Sequence, residues 1–183
     1  MIDTRRLNVV DEEGRIIGEA TREEIHRKGL LHREINVWFY TPRGEIIFQH
    51  RAKDKDTFPD LLDATVGGHV EIGQDYETAA LQEIREETGV VLTRDQLQII
   101  ETTKKKDFDA ITGTINNAIR VIYACSYDGR VKNLRVEKDK ALGFEVWPIN
   151  RVLHATAAEQ HRWLPRLSEP DALEIFRKIQ MLL

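Results

Sequence analysis

Short apolar runs separated by polar turn residues mark much of the first fifty positions of the chain and predict strands. Runs rich in β-forming residues are separated by turn residues, with Gly14 in the first turn and Gly44 in the second. Glycine at these positions favours a tight reversal of the chain. The pattern therefore predicts two hairpins, one over residues 7–10 and 15–18 and the other over residues 35–40 and 45–50.

A short helix is predicted between the two hairpins. Thr21, followed three residues later by Glu24, is the signature of a capping box, in which the hydroxyl accepts a hydrogen bond from a free amide of the first turn. Gly29 suits the left-handed conformation with which many helices end. We therefore expect a helix over residues 22–28.

The rest of the chain mixes strand and helix patterns. Residues 51–63 are polar and predict an ordered loop, and residues 104–113 predict a polar connection between two strands. The remaining predicted elements are strands over residues 97–102, 115–125 and 144–149, a short helix over 150–158, and an amphipathic helix over 170–181 that is capped by Ser168.

A further helix is predicted near the middle of the chain. Asp75 is a suitable N-cap, and Gly89 suits the position after the last turn. Between them Ala80, Leu81 and Ile84 form an apolar stripe that can hold the helix against a sheet. The pattern thus predicts a packed helix of about three turns, with one turn comprising about 3.6 residues.

Three glutamates share one face of this helix, because Glu83, Glu86 and Glu87 stand at i, i+3 and i+4. Their charges repel one another, and a bound cation removes that cost; Mg²⁺ prefers oxygen ligands, including carboxylates and substrate phosphates. Gly67 and Gly68, before the helix, let the backbone approach a metal or a phosphate without a Cβ in the way. A lone acidic face is usually only solvated, but the glycines at both ends of the helix favour a metal site.

Composition limits the classes of protein to consider. The 183 residues suit one domain, and 41% hydrophobic with 32% charged residues is typical of a globular protein. A net charge of −4 gives no general attraction to nucleic acid or to an anionic membrane. The single cysteine, Cys125, excludes an internal disulfide and is interpreted as a core residue. We expect no membrane span and a cytoplasmic location.

The stretch from Gly68 to Val90 resembles the Nudix box, G-x5-E-x7-R-E-U-x-E-E-x-G-U, in which U is a bulky aliphatic residue. It departs from the box at Gln74, where the family has Glu, and at Gln82, where the family has Arg. The box positions that match are Gly68, Glu83, Ile84, Glu86, Glu87, Gly89 and Val90.

The Nudix resemblance implies an α/β/α sandwich around a mixed β-sheet, with the box as a loop-helix-loop. We interpret residues 1–183 as a single domain, with residues 1–33 as an N-terminal hairpin and helix extension and residues 168–183 as a C-terminal packing helix. The resemblance further implies that Glu86 and Glu87 are the principal metal ligands and that Glu83 is a further ligand or a base. Because the family's Arg orients these carboxylates, Gln82 is expected to weaken metal affinity.

A second resemblance, to isopentenyl-diphosphate isomerase, spans roughly residues 6–180. It is carried by Leu-His-Arg at 31–33, Arg-Ala at 51–52, Phe-Pro at 58–59 and Gly-Gly-His-Val at 67–70. The resemblance implies metal binding by His32 and His69, and His26 lies near a third such position with a spacing that differs by one. Alternatively, each histidine is a structural residue.

The isomerase chemistry is not matched. That family places a cysteine where this chain has Gly67, and acidic residues near the position of Asn-Asn-Ala at 116–118. Without the thiol and the acids, the chain lacks the groups that move a proton between carbon atoms. The metal site that His32 and His69 would form also lacks the acidic ligands of that family. The isomerase function is therefore disfavoured.

Each candidate residue outside the box has two possible roles. The candidate bases are Glu137 and Asp139, with Asp107 and Asp109 in reserve, and each is otherwise a solvated acid. Arg51, Lys53 and Lys55 are candidates to bind substrate phosphates together with Gly67 and Gly68, or else serve solubility. Trp38, Phe58 and Trp163 are candidate pocket walls, or else core residues.

The expected function is hydrolysis, with Mg²⁺ or Mn²⁺, of a diphosphate linkage in a small molecule such as a nucleoside diphosphate derivative. The alternative is a Nudix-fold binding or regulatory protein whose hydrolysis has decayed, which Gln74 and Gln82 motivate. The family resemblance suggests a homodimer.

Overall fold

The structure is a computed structural model that describes residues 5–54, 58–110, 112–137 and 140–183. The strands among these residues are β1 (Arg6–Val10), β2 (Ile16–Thr21), β3 (His32–Thr41), β4 (Glu45–Arg51), β5 (Leu62–Asp63), β6 (Val66–His69), β7 (Gln98–Asp109), β8 (Thr114–Ser126) and β9 (Ala141–Pro148). The α-helices among them are α1 (Arg22–Lys28), α2 (Tyr76–Thr88), α3 (Ile149–Leu153), α4 (Ala157–Gln160) and α5 (Pro170–Gln180).

Seven strands form one mixed sheet in the order β5-β4-β3-β8-β7, in which β6 pairs with β3 and β9 pairs with β4. β3 and β8 run parallel, whereas the other paired strands of this sheet are antiparallel. Because β3 pairs with β6 along residues 34–37 and with β4 along residues 39–41, both strands lie on the same side of β3. The strand that carries Gly67 and Gly68 therefore lies directly beside the N-terminal half of β3.

Helices cover both faces of the sheet. Ala79, Ala80 and Ile84 of α2 pack with inward residues of β3 and β8 in one core. Phe176 of α5 packs in a second core, where its ring lies 4.8 Å from that of Trp38. The expected α/β/α sandwich around a mixed sheet is confirmed.

α2 begins and ends as its sequence predicts. Asp75 caps it, because the carboxylate accepts a hydrogen bond from the amide of Thr78 at 2.7 Å. Gly89 ends it with φ at 74°, in the left-handed region. The helix is therefore anchored at both ends, which fixes the direction of the glutamate face between them.

The N-terminal hairpin and α1 form a small unit against the sheet, with Leu7, Ala20 and Ile25 as its core. Thr21 caps α1 by accepting from the amide of Glu24, and Gly29 ends the helix with φ at 64°. A Cβ at Gly29 would lie 2.7 Å from Cγ2 of Ile115 on β8. This close packing holds α1, and with it His26, beside the sheet.

Three sequence predictions differ from the structure. Residues 104–113 were expected to form a polar connection, but β7 continues to Asp109 because its backbone pairs with β8, a partner that local sequence does not reveal. Ser168 does not cap the last helix; it ends a 3₁₀ turn, Pro165–Ser168, and Glu169 is the N-cap. The helix expected over residues 150–158 is divided into α3 and α4.

Within the described ranges, none of the helices has the length and apolar character that a membrane crossing requires.

Candidate functional site

The glutamate face of α2 meets the sheet at β4. Glu87 is almost fully buried, with 4% of its surface exposed, whereas Glu86 is exposed and Glu83 lies between these extremes. The side-chain amide of Gln49 on β4 donates a hydrogen bond to Glu87 Oε2 at 3.0 Å. Gln49 therefore orients the buried carboxylate.

Burial makes these carboxylates costly to ionise without a cation. Burial raises the pKa of Glu83 to about 7, with Glu86 and Glu137 adding to the effect and Lys140 opposing it. Burial and the neighbouring Glu83 raise the pKa of Glu87 to about 8. Carboxylates in such an environment favour a bound divalent cation, which compensates their charge.

Gly68 forms the floor beneath Glu83. A Cβ at position 68 would lie 2.5 Å from both Cδ and Oε1 of Glu83. The same strand pairs Gly68 with Ile35 of β3, so the backbone cannot move away without breaking the ladder. The glycine therefore creates the space that the carboxylate occupies.

The two departures from the Nudix box lie in contact with each other. Gln74 donates a hydrogen bond from its side-chain amide to Gln82 Oε1 at 2.7 Å, and Gln74 Oε1 accepts from the amide of Glu71. A pair of neutral glutamine amides thus occupies the positions where the box has a glutamate and an arginine. The two substitutions match each other in hydrogen-bonding capacity.

Glu83, Glu86 and Glu87 form an acid cluster, and a lysine from the segment before β9 approaches it. Lys140 Nζ lies 2.7 Å from Glu137 Oε2 and 3.7 Å from Glu87 Oε1. The candidate base Glu137 is therefore brought next to the box glutamates. Asp139 lies outside the described residues, and Asp107 and Asp109 lie instead near the β7–β8 turn, opposite Asn116 and Thr114.

The residues predicted to bind substrate phosphates differ in whether their side chains are engaged within the protein or exposed. Arg51 donates to the carbonyl of Phe58 and forms an ion pair with buried Asp63 at 3.1 Å, so its guanidinium is engaged within the protein. Lys53 is exposed, with its Nζ 4.0 Å from Asp60 Oδ2, and Lys55 lies outside the described residues. Gly67 lies on β6 opposite Asn36.

The aromatic candidates for pocket walls belong to the core. Trp38 and Trp163 are buried in the cluster that packs α5 against the sheet, and Phe58 packs against the same cluster. Cys125 is buried on β8, as expected of a core residue. The interpretation of the tryptophans as core residues is therefore the correct one.

Three histidines form a second group of candidate ligands. His26 from α1, His32 from β3 and His69 from β6 each offer a ring nitrogen, and these atoms lie within 4.8 Å of one another. His26 Nε2 and His69 Nε2 are 3.2 Å apart. His32 is fully buried, its Nδ1 contacts the Leu30 carbonyl, and its Nε2 has no hydrogen-bond partner among the described residues.

A carboxylate completes this group. Glu34 Oε1 lies 3.4 Å from His32 Nε2 and 3.5 Å from His69 Nε2. Its other oxygen accepts from Arg120 at 2.6 Å and from Asn116 at 3.3 Å. Although burial opposes ionisation, the Arg120 guanidinium holds the pKa of Glu34 well below its usual range.

The acids that the isomerase family has near residues 116–118 are absent here, but Glu34 on β3 supplies a carboxylate that local sequence does not indicate. Burial lowers the pKa of His26 to about 4 and that of His69 to about 3. Both rings are therefore neutral at pH 7, the form in which imidazole binds a metal.

Sequence reasoning missed three residues of these sites: Gln49, Glu34 and Lys140. Alternation along β3 and β4 could have placed the side chains of Glu34 and Gln49 on a face of the sheet, but not next to a histidine or a glutamate. Nothing in the local sequence distinguishes Lys140 from the other charged residues of its segment. Each acquires its partner through contacts between distant parts of the chain.

Comparison with known proteins identifies the family of this chain. The NUDIX domain family matches residues 30–167. An uncharacterized Nudix hydrolase of Clostridium acetobutylicum is 30% identical over 140 residues, which cover 75% of this chain and 66% of that protein. Another, of Streptomyces coelicolor, is 41% identical over 83 residues, which cover 45% of this chain and 46% of that protein. The chain thus spans about half to two thirds of these relatives.

Solved structures share the fold. A crystal structure from Deinococcus radiodurans superposes with a TM-score of 0.70 at 21% identity, covering 95% of this chain and 98% of the other. The NUDIX domain of Shewanella oneidensis NrtR, solved with ADP ribose, has a TM-score of 0.57 at 16% identity, covering 89% of this chain and 99% of the other. With the domain match covering most of the chain and the box on α2, this protein belongs to the Nudix family.

Proposed function

We propose that this protein is a Mg²⁺- or Mn²⁺-dependent pyrophosphohydrolase that cleaves a diphosphate linkage in a small molecule. The observation that carries the proposal is the acid cluster, in which buried Glu87 and half-buried Glu83 lie beside exposed Glu86 over a glycine floor. Family membership supports hydrolysis in general.

The residues of the cluster fit a hard divalent cation. All the donors are carboxylate oxygens, and Gly68 leaves a space at Glu83 that a Cβ would fill. When bound, Mg²⁺ polarises phosphoryl oxygens and lowers the pKa of a coordinated water. Glu83, Glu86 and Glu87 would hold the ion, and Gln49 would keep Glu87 directed toward it.

The chain also supplies a candidate base. Glu137 lies next to the cluster and is paired with Lys140, so its carboxylate is held in place by an ion pair. A base at this position would accept a proton from the attacking water, provided that the water comes within hydrogen-bonding distance. Gly67, Gly68 and Lys53 remain the candidates to bind substrate phosphates.

The test is product release from a panel of diphosphates with Mg²⁺ or Mn²⁺. The panel includes ADP-ribose and diadenosine tetraphosphate, because structural neighbours are an ADP-ribose complex and an Ap4A hydrolase. We expect Glu87→Gln to reduce kcat by about 10²-fold or more. Glu77→Gln, the same change at a partly exposed glutamate in the first turn of α2 that pairs with Arg94, is the control and should retain activity.

The second candidate function is a binding or regulatory role without turnover, which the neutral pair of Gln74 and Gln82 favours. Calorimetric binding of a panel compound, together with no metal-dependent product from any member, would support it and would reject the hydrolase. Turnover that Glu87→Gln removes would reject the binding role.

We further infer that His26, His32 and His69, with Glu34, form a second metal site. The support is the convergence of three ring nitrogens and a carboxylate, with His32 Nε2 buried and without a hydrogen-bond partner among the described residues. Imidazole ligands suit Zn²⁺ or Fe²⁺ better than Mg²⁺.

Titration with Zn²⁺ and Mn²⁺ tests this site. His26→Gln should weaken the binding of one equivalent of metal, whereas His161→Gln, at an exposed histidine, should not. Equal metal content and affinity in the two variants would reject the site, whatever happens at the glutamates of α2.

A further inference from the structure

Lys140 places a positive charge inside the acid cluster. Its ammonium forms a close ion pair with Glu137 and lies within 4 Å of Glu87, the most buried glutamate. Lys140 is the residue that meets both the box and the candidate base.

The backbone of Lys140 is held on two sides. Its amide donates to the carbonyl of Glu137, and its own carbonyl accepts from the amide of Ala52 at 3.2 Å. Ala141, the next residue, begins β9 and pairs with Arg51 of β4. The origin of the side chain is therefore fixed, whereas the ammonium can change partners through χ rotations.

The side chain has a route to solvent. About a third of its surface, 34%, is exposed, compared with 5% for the side chain of Glu87. One ammonium offers a single charge to four carboxyl groups, those of Glu83, Glu86, Glu87 and Glu137. A divalent ion neutralises such a cluster better and repels the lysine.

We propose that Lys140 is the resident counter-cation of the acid cluster, that the divalent metal displaces it from Glu87, and that it then binds a phosphate group of the substrate. This inference rests on the proposed function, because it requires a metal at Glu83, Glu86 and Glu87. Lysine binds phosphate as a compact charge on a flexible stem, and a short rotation would direct it toward an anion beside the metal.

The inference predicts two effects of opposite sign in Lys140→Met. Without substrate, Mn²⁺ should bind about three- to tenfold more tightly, because a competing positive charge is removed. At saturating Mn²⁺, imidodiphosphate, a non-hydrolysable diphosphate, should bind about three- to tenfold more weakly, because its lysine partner is gone. Isothermal titration calorimetry measures both affinities.

Two matched variants separate this role from general charge and from structure. Lys132→Met removes the same charge from an exposed position of the same segment and should change neither affinity by more than about twofold. Lys140→Arg keeps the charge and should retain most of the binding of imidodiphosphate. A merely structural role for Lys140 would move both affinities in the same direction.

Specific results would overturn the inference. Unchanged or weaker Mn²⁺ binding in Lys140→Met, unchanged imidodiphosphate binding, or equal effects in Lys132→Met would each reject it. If Glu87→Gln abolishes Mn²⁺ binding while Lys140→Met does not tighten it, the metal site stands and this inference alone fails. If neither the wild type nor Lys140→Met binds Mn²⁺ at the cluster, both proposals fail.

Discussion

Gly68 and Glu83 are in such close contact that the glutamate carboxyl group occupies the space of a missing side chain. A Cβ built on Gly68 would lie 2.5 Å from Glu83 Cδ, far inside van der Waals distance. Because β6 holds Gly68 in register with β3, and α2 is capped at both ends, neither partner can move away freely. The position of Glu83, which we propose as a metal ligand, is thus coupled to a glycine fifteen residues earlier in the chain.

This contact predicts different effects for two adjacent glycines. Gly68→Ala should displace Glu83 and weaken Mn²⁺ binding by about 10- to 100-fold, a range typical for the loss of support around a metal ligand. Gly67→Ala should bind Mn²⁺ like the wild type, because the nearest atom to a Cβ there is the Ile35 carbonyl oxygen at 4.0 Å. Calorimetry with Mn²⁺ measures both, and equal affinities would contradict the role given to Gly68.

Because Gln74 and Gln82 are in contact, substitutions at these two positions should have coupled effects on stability. Gln82→Arg alone removes the acceptor of a 2.7 Å hydrogen bond and places a charge next to the amide of Gln74, so it should lower stability. The double variant Gln74→Glu with Gln82→Arg should recover stability through an ion pair. We expect a favourable coupling energy of about 0.5–3 kcal/mol between the two substitutions in urea unfolding. Simple additivity would show that the two positions act independently.

Metal affinity should depend on pH in a defined direction. The pKa of Glu83 is raised to about 7 and that of Glu87 to about 8, so both hold protons over part of the neutral range when no metal is bound. Since a carboxyl group must lose its proton to ligate a metal, Mn²⁺ affinity should rise as the pH increases from about 6 to about 9. Electron paramagnetic resonance of free Mn²⁺ checks this, and a flat profile would contradict it.

Asp63 should make folding stability depend on acid pH. Burial opposes its ionisation, but Arg166 and Arg51 hold its pKa below the ordinary value. The unfolded chain then binds more protons, so this stabilisation is present above the unfolded pKa and is lost as the pH falls through the folded pKa. At pH 7, Asp63→Asn should cost about 1–3 kcal/mol, because it leaves two partly buried arginine charges without their partner.

The control for Asp63 is Asp60→Asn, which alters an exposed aspartate beside His50 at a left-handed position that asparagine tolerates. Chemical denaturation of the three proteins at pH 7 and at acid pH separates the effects. The difference between the wild type and Asp63→Asn should shrink as the pH falls. A constant difference would mean that the charge of Asp63 is not the stabilising feature.

The helical parts of the site could be predicted from the sequence because they depend on local rules. Asp75 and Gly89 define the ends of α2 through hydrogen bonds and dihedral angles within a few residues, and the spacing of Glu83 and Glu87 places them on one face. The same local logic placed α1 between Thr21 and Gly29. Local logic was not sufficient for β7, whose polar second half is a strand only because β8 pairs with it.

What the sequence by itself determined is the box, its caps, the shared face of the glutamates and the two glutamines that depart from the pattern. Only the tertiary structure decided that Gln49 supports Glu87, that Lys140 enters the cluster, and that Glu34 joins three histidines from separate elements. The physical reason is the range of the interactions. Backbone caps and helical spacing act over a few residues, whereas a buried carboxylate takes its partners from whichever segments the packed sheet brings within a few ångströms of it.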